Sequence, residues 1–183
     1  MSRRCRHDAL GLQGALSKSI AMIPPAKTLV RSDIPRARSE AHARVDYRLF
    51  RSVPTRWGDN DIYGHVNNVV YYSWFDTAVN ALLIERGVLD IHHGTTVGFV
   101  AETHCNYFAA LAYPQTIDVG LRVAHIGTSS VRYEIGLFAE SIDSAAAQGH
   151  LVHVYVNRQS GRPVPLPATL RQVLDELRIP IPQ

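Results

Sequence analysis

The segment VNNVVYYSWFDTAVNALLIERG, residues 66–87, constrains the fold more than any other part of this 183-residue chain. It reads as a helix of about six turns. Its polar residues are confined to one stripe through Ser73, Asp76, Thr77 and Asn80, and Gly87 supplies the stop. A helix with so little polar face needs other elements wrapped around most of its sides. The sequence downstream of Gly87 can provide them. Four strand-like segments lie at 95–109, 116–127, 130–140 and 149–163, with no second long helix between them. In the second of these, Ile117, Val119, Leu121 and Val123 alternate with polar or small residues. In the third, Val131, Tyr133, Ile135 and Leu137 do the same, and in the last Val152, Val154 and Val156 share a face.

An imperfect strand pattern at 45–56, carrying Pro54 as an edge or bulge signal, precedes the long helix. A short amphipathic helix, PATLRQVLDELR, closes the chain. Strand, buried helix, four consecutive strands and short helix together predict an α+β fold, an antiparallel sheet wrapped around one long central helix. Strand-helix alternation does not repeat, which argues against a doubly wound parallel sheet. A sheet wrapped on a single helix keeps a second face and open edges, so self-association is expected.

Residues 1–44 are expected to be a disordered basic extension, and residues 45–183 the folded domain. The extension carries nine Lys/Arg against three acids, with prolines at 24, 25 and 35, whereas the folded part carries ten Arg against thirteen acids. The basic character therefore belongs to the extension, and no basic stripe marks the folded part as a partner of nucleic acid. The Arg-rich, acid-poor extension is compatible with a mitochondrial transit peptide or with a dispensable leader. The expected location is cytoplasmic, or the mitochondrial matrix if the extension is a transit peptide. Two cysteines, Cys5 and Cys105, are too few for a disulfide framework, and no stretch approaches the roughly 18 apolar residues of a membrane span.

The chemistry-bearing residues cluster just before the helix, in RWGDNDIYGHVNNVVYY, residues 56–72. The order is D-x-D-x-x-G-H-V-N-N-x-x-Y: Asp59, Asp61, Gly64, His65, Asn67, Asn68 and Tyr71. Asp, Asn and Gly are ordinary turn and helix-cap residues, so one reading of this stretch is purely structural. The other starts from the unpaired amides of the first helical turn, which sit at the positive end of the helix dipole and can hold a developing oxyanion. A carboxylate a few residues upstream can attack the same carbonyl or activate a water. That combination suits hydrolysis of an activated acyl compound such as a thioester.

Over residues 45–175 the chain resembles the hotdog-fold thioesterases of the 4-hydroxybenzoyl-CoA thioesterase and acyl-CoA thioesterase type. The resemblance is carried by RWGDNDIYGHVNNVVYY and supported by VAETHCNYFAAL, VAHIGTSSVRYEI and VNRQSGRPVPLP. It implies that Asp61 is the catalytic carboxylate, as nucleophile or as base on water, and that the backbone amide at Asn68 polarises the thioester carbonyl. It also implies that Gly64 permits the tight approach into the helix. His65 either orients a water or the carboxylate, or packs beside the helix cap. Asn67 and Tyr71 either line the acyl pocket or serve helix packing. Related plant acyl-carrier-protein thioesterases place Asn two residues after the catalytic Asp, where this chain has Tyr63, so the implied substrate is an acyl-CoA. No cofactor or metal is expected, and the implied assembly is a homodimer or homotetramer. Two other readings stay open: a hotdog enoyl-CoA hydratase or dehydratase, and a non-catalytic acyl-CoA-binding protein.

Overall fold

The computed structural model describes residues 39–179. The expected transit or leader features of residues 1–38 lie outside the described residues. Residues 42–44, upstream of the expected boundary at 45, are tied to the sheet: the His42 amide donates to the Gln148 side chain at 2.6 Å, and the Arg44 guanidinium pairs with Asp118 at 2.8 Å.

Five strands form one antiparallel sheet: β1 (Leu49–Pro54), β2 (Thr96–Tyr107), β3 (Thr116–Ile126), β4 (Ser130–Ala139) and β5 (Ala147–Asn157). The long helix α1 (Asn68–Glu85) separates β1 from β2, and α2 (Ala168–Glu176) comes after β5. The order across the sheet is β1-β3-β4-β5-β2. This is the α+β hotdog fold, with one long helix packed on an unclosed antiparallel sheet. The alternation expected for β3 and β4 is present, since Ile117, Val119, Leu121, Val123, Val131, Tyr133, Ile135 and Leu137 are all buried in the core beneath α1.

Strand neighbours differ in one respect from what sequential pairing suggests. Strands β2 and β3 do not pair; β2 pairs with β5, from Thr96 opposite Asn157 to Tyr107 opposite Ala147. The segment 108–115 instead carries the chain across to β3, and it buries Leu111 on the way. Strand β2 is therefore one edge of the sheet and β1 the other, with Pro54 at the end of β1, where a missing N–H is tolerated.

Helix α1 is shorter than the apolar run predicts, at 18 residues. It buries Tyr71, Trp74, Phe75, Ala78, Val79, Leu82 and Leu83 against the sheet, a stripe at the i, i+3, i+4 spacing of one helix face. It is not wrapped on most sides within one chain: Ser73, Asp76 and Thr77 are not buried, and Val69 and Ile84 are exposed. One five-stranded sheet covers one face only.

Candidate active site

The turn that leads into α1 is built on Asp59. Only 2 % exposed, its carboxylate accepts from the Arg56 amide at 2.7 Å and from Arg56 Nε at 3.1 Å. Its carbonyl accepts from the Asn67 amide at 2.8 Å. Asp59 thus fixes the start of the helix relative to the turn, and its carboxylate is already engaged.

Asp61 sits two residues on, half-buried, in a turn closed on itself. Its amide donates to the His65 carbonyl at 2.8 Å, and its carbonyl accepts from the Gly64 amide at 3.1 Å. One carboxylate oxygen, Oδ1, accepts from the amides of Tyr63 at 2.8 Å and His65 at 3.4 Å. This is the Asx-turn chemistry that Asp favours. Gly64 closes the loop at φ 81°, a left-handed conformation that a side chain would strain. Asp61 and Gly64 share an open cleft of about 410 Å³ with Trp57, Asn60 and Ile62.

The helix begins where the spacing places it. Asn67 is the N-cap, and its side-chain oxygen accepts from the Val69 amide at 3.2 Å. Asn68 is the first helical residue, and among the described residues no backbone acceptor takes its amide. That amide is one of the unpaired donors at the positive end of α1. The remaining sequence candidates are placed differently. His65 is exposed, and only its backbone is bonded to Asp61. Tyr71 is 3 % exposed, within the core, its ring 4.9 Å from that of Tyr107 and 5.6 Å from that of Trp74. Burial pushes its hydroxyl above the ordinary tyrosine range. Neither His65 nor Tyr71 lines the cleft beside Asp61.

Three neighbours of this site are not among the candidate residues, although Asn60 lies in the turn itself. Tyr107, at the end of β2, donates its hydroxyl to the Asn68 carbonyl at 3.4 Å. Asn60 ties the turn to the 108–115 connection by accepting from the Tyr113 amide at 3.0 Å. Trp57, 83 % exposed, meets the Tyr113 ring edge-on at 5.9 Å. All three depend on the 96–115 segment folding beside the start of α1. Aromatic content was the only signal that could have found Trp57 and Tyr107, and Asn60 carries only its place in the turn. Cys105, behind the helix start, is buried with its thiol pushed up to about 11, unsuited to nucleophilic work near neutrality. No group of three His, Cys, Asp or Glu side chains that could hold a metal occurs among the described residues.

Other titratable groups have structural partners. Glu102 accepts from His150 at 2.6 Å. The amides of His92 and His93 both donate to Asp90 at 2.9 Å. Arg158 donates to the Ile91 carbonyl at 2.7 Å.

A family described as the thioesterase-like superfamily matches residues 55–174, a span that includes the turn, α1 and all the strands except β1. The chain belongs to that superfamily. Its membership supports thioester hydrolysis in general terms. Among solved structures similar to this chain, the PA5185 protein of Pseudomonas aeruginosa strain PAO1 is 54 % identical, covering 75 % of this chain and 96 % of its own, with a TM-score of 0.74. The PA2801 protein of Pseudomonas aeruginosa, proposed as a thioesterase, is 30 % identical over 67 % of this chain and 95 % of its own, with a TM-score of 0.63. The uncharacterized protein YsmA of Bacillus subtilis (strain 168) is 21 % identical over 122 residues, 66 % of this chain and 81 % of that protein.

Proposed function

We propose that this superfamily member hydrolyses acyl-CoA thioesters to the free carboxylic acid and CoA. The observation that carries the proposal is the Asp61 turn leading directly into an α1 N-terminus whose Asn68 amide has no backbone acceptor among the described residues. In this reading the thioester carbonyl oxygen accepts from the Asn68 N–H, aided by the helix dipole. Asp61 then either attacks the carbonyl carbon or takes a proton from a water that does so. The negative charge gathers on the oxygen facing Asn68, the C–S bond breaks, and CoA leaves as a thiolate that needs little assistance. If Asp61 has attacked directly, water cleaves the resulting anhydride and restores the carboxylate. Gly64 permits the tight approach into the turn before the helix, Asn67 holds the first helical turn, and His65 borders the site. Tyr71 supports the helix start from within the core.

We further propose a homodimer or homotetramer. The supporting features are the open β2 edge, where Phe99 and Val100 are 58 % and 50 % exposed, and the uncovered side of α1. Light scattering after gel filtration should report a dimer or larger, and Val100→Lys should shift it toward monomer; a wild-type monomer would refute the assembly. The buried free thiol of Cys105 fits a reducing compartment such as the cytoplasm. Thiol release should be screened across short, long, branched and aromatic acyl-CoAs, with crotonyl-CoA hydration measured alongside. Release of free thiol from at least one class is expected. Hydration without thiol release would assign a hydratase instead, and ligand-dependent stabilisation without either would assign a binding protein.

A further inference from the structure

A second cavity, of about 80 Å³, lies at the other end of α1. Leu83, Leu89, Val97 and Leu170 form apolar walls around His153 and Asn80. Asn68 and Asn80 are twelve residues apart, about 18 Å along the helix axis, so this cavity is separate from the Asp61 cleft. His153 is the anomaly in it. The imidazole is 2 % exposed, yet neither ring nitrogen has a hydrogen-bond partner among the described residues. Buried polar groups are nearly always paired, and each unpaired one is destabilising. A purely structural position would be filled more favourably by Leu or Phe.

The neighbouring polar groups are engaged with one another rather than with the imidazole. Tyr133 and Tyr155, whose rings pack on the imidazole at 5.3 and 6.2 Å, share one hydroxyl–hydroxyl hydrogen bond at 2.8 Å. Asn80 directs its amide nitrogen to the Asp76 carbonyl. Across the strand pair, Gly98 presents no side chain to the ring. A Cβ there would lie 3.1 Å from Nδ1 of His153 and 3.3 Å from the Tyr155 ring.

We propose that this cavity is a binding site for the hydroxyl-bearing end of a small, uncharged, otherwise apolar molecule, with His153 recognising the hydroxyl. Burial holds His153 below its ordinary pKa, so the ring is neutral near pH 7 and offers one donor and one acceptor. A hydroxyl matches either. An anion is disfavoured because the ring carries no charge there and the nearby Asp76 carboxylate repels it. A hydrocarbon would leave both nitrogens unpaired.

The test uses the full chain and three probes of similar size: phenol, toluene and benzoate. Phenol should shift the His153 imidazole signals saturably in NMR, assigned by their loss in His153→Phe, and should raise the melting temperature. Toluene, with a methyl in place of the hydroxyl, should bind at least about tenfold more weakly, and benzoate should bind no better than toluene. Gly98→Val should abolish the phenol effect, and His153→Phe should reverse the preference toward toluene. If Gly98→Val does not fold, the His153→Phe reversal decides alone. Equal binding of phenol and toluene, or phenol binding that leaves the His153 signals unmoved, would overturn the proposal.

Discussion

Two aspartates, two residues apart, have opposite situations. Asp59 is 2 % exposed, and its carboxylate is occupied by Arg56. Asp61 is half-buried, and among the described residues only its Oδ1 is given amide partners. The first is a fastening, whereas the second has amide partners on one carboxylate oxygen only among the described residues. Asp59→Ala removes a buried carboxylate together with its hydrogen bonds from the Arg56 amide and guanidinium and should lower unfolding free energy by about 2 kcal/mol, measurable as a reduced urea midpoint. An unchanged midpoint would show that Asp59 does not hold the turn. Asp61→Asn preserves the oxygen that Tyr63 and His65 donate to while removing the charge, so its effect on stability should be small. The distinction between these acids was legible only through the resemblance, because both satisfy turn chemistry equally well. What separates them is the burial of Asp59, which spacing alone does not encode.

At the scale of elements, the helix start is the joint on which the site depends. Asn67→Ala removes the cap that accepts from the Val69 amide and should cost about 1 kcal/mol. Thermal unfolding would show it, with Asn67→Asp retaining most of the stability; an unaltered melting temperature would mean that the cap contributes nothing. Helix α1 and strands β3 and β4 were readable in advance because one buried face imposes a clean period on each. Strand β5 was harder. The valines at 152, 154 and 156 draw the eye, yet Leu151, His153 and Tyr155 face α1 and the core, and Val152 and Val154 are only half-buried. A strand in mid-sheet is covered enough on both faces that apolar content does not reveal which one points inward. The β2–β5 pairing was equally hidden, since it joins residues about fifty positions apart and local turn signals speak only for neighbours.

The whole molecule should show two stages of acid sensitivity. Burial lowers the pKa of His153, and burial together with Arg122 lowers that of His42. A histidine whose folded pKa lies below its unfolded value contributes fully above the unfolded pKa, and the contribution declines as pH falls below about 6.5. Asp118 is held below the ordinary range by Ser52 and Arg44, and Glu102 by the His150 imidazole. Their contribution is present above the unfolded carboxylate values and is lost as pH falls below about 4. The melting temperature should therefore begin to fall below roughly pH 6.5 and fall further below about 4. His153→Phe should flatten the first stage in part, leaving the share of His42. A melting temperature level from neutrality down to about pH 5 would contradict the assignment of neutral buried histidines.

Whether Asp61 performs the chemistry at the open end of α1 is decided by the kcat for thiol release of Asp61→Asn on the best acyl-CoA of the screen, with melting temperature and assembly size measured on the same sample. The expected outcome is a loss of about a thousandfold or more in a protein that remains folded and associated. Turnover within a few-fold of the wild type would remove Asp61 from the reaction.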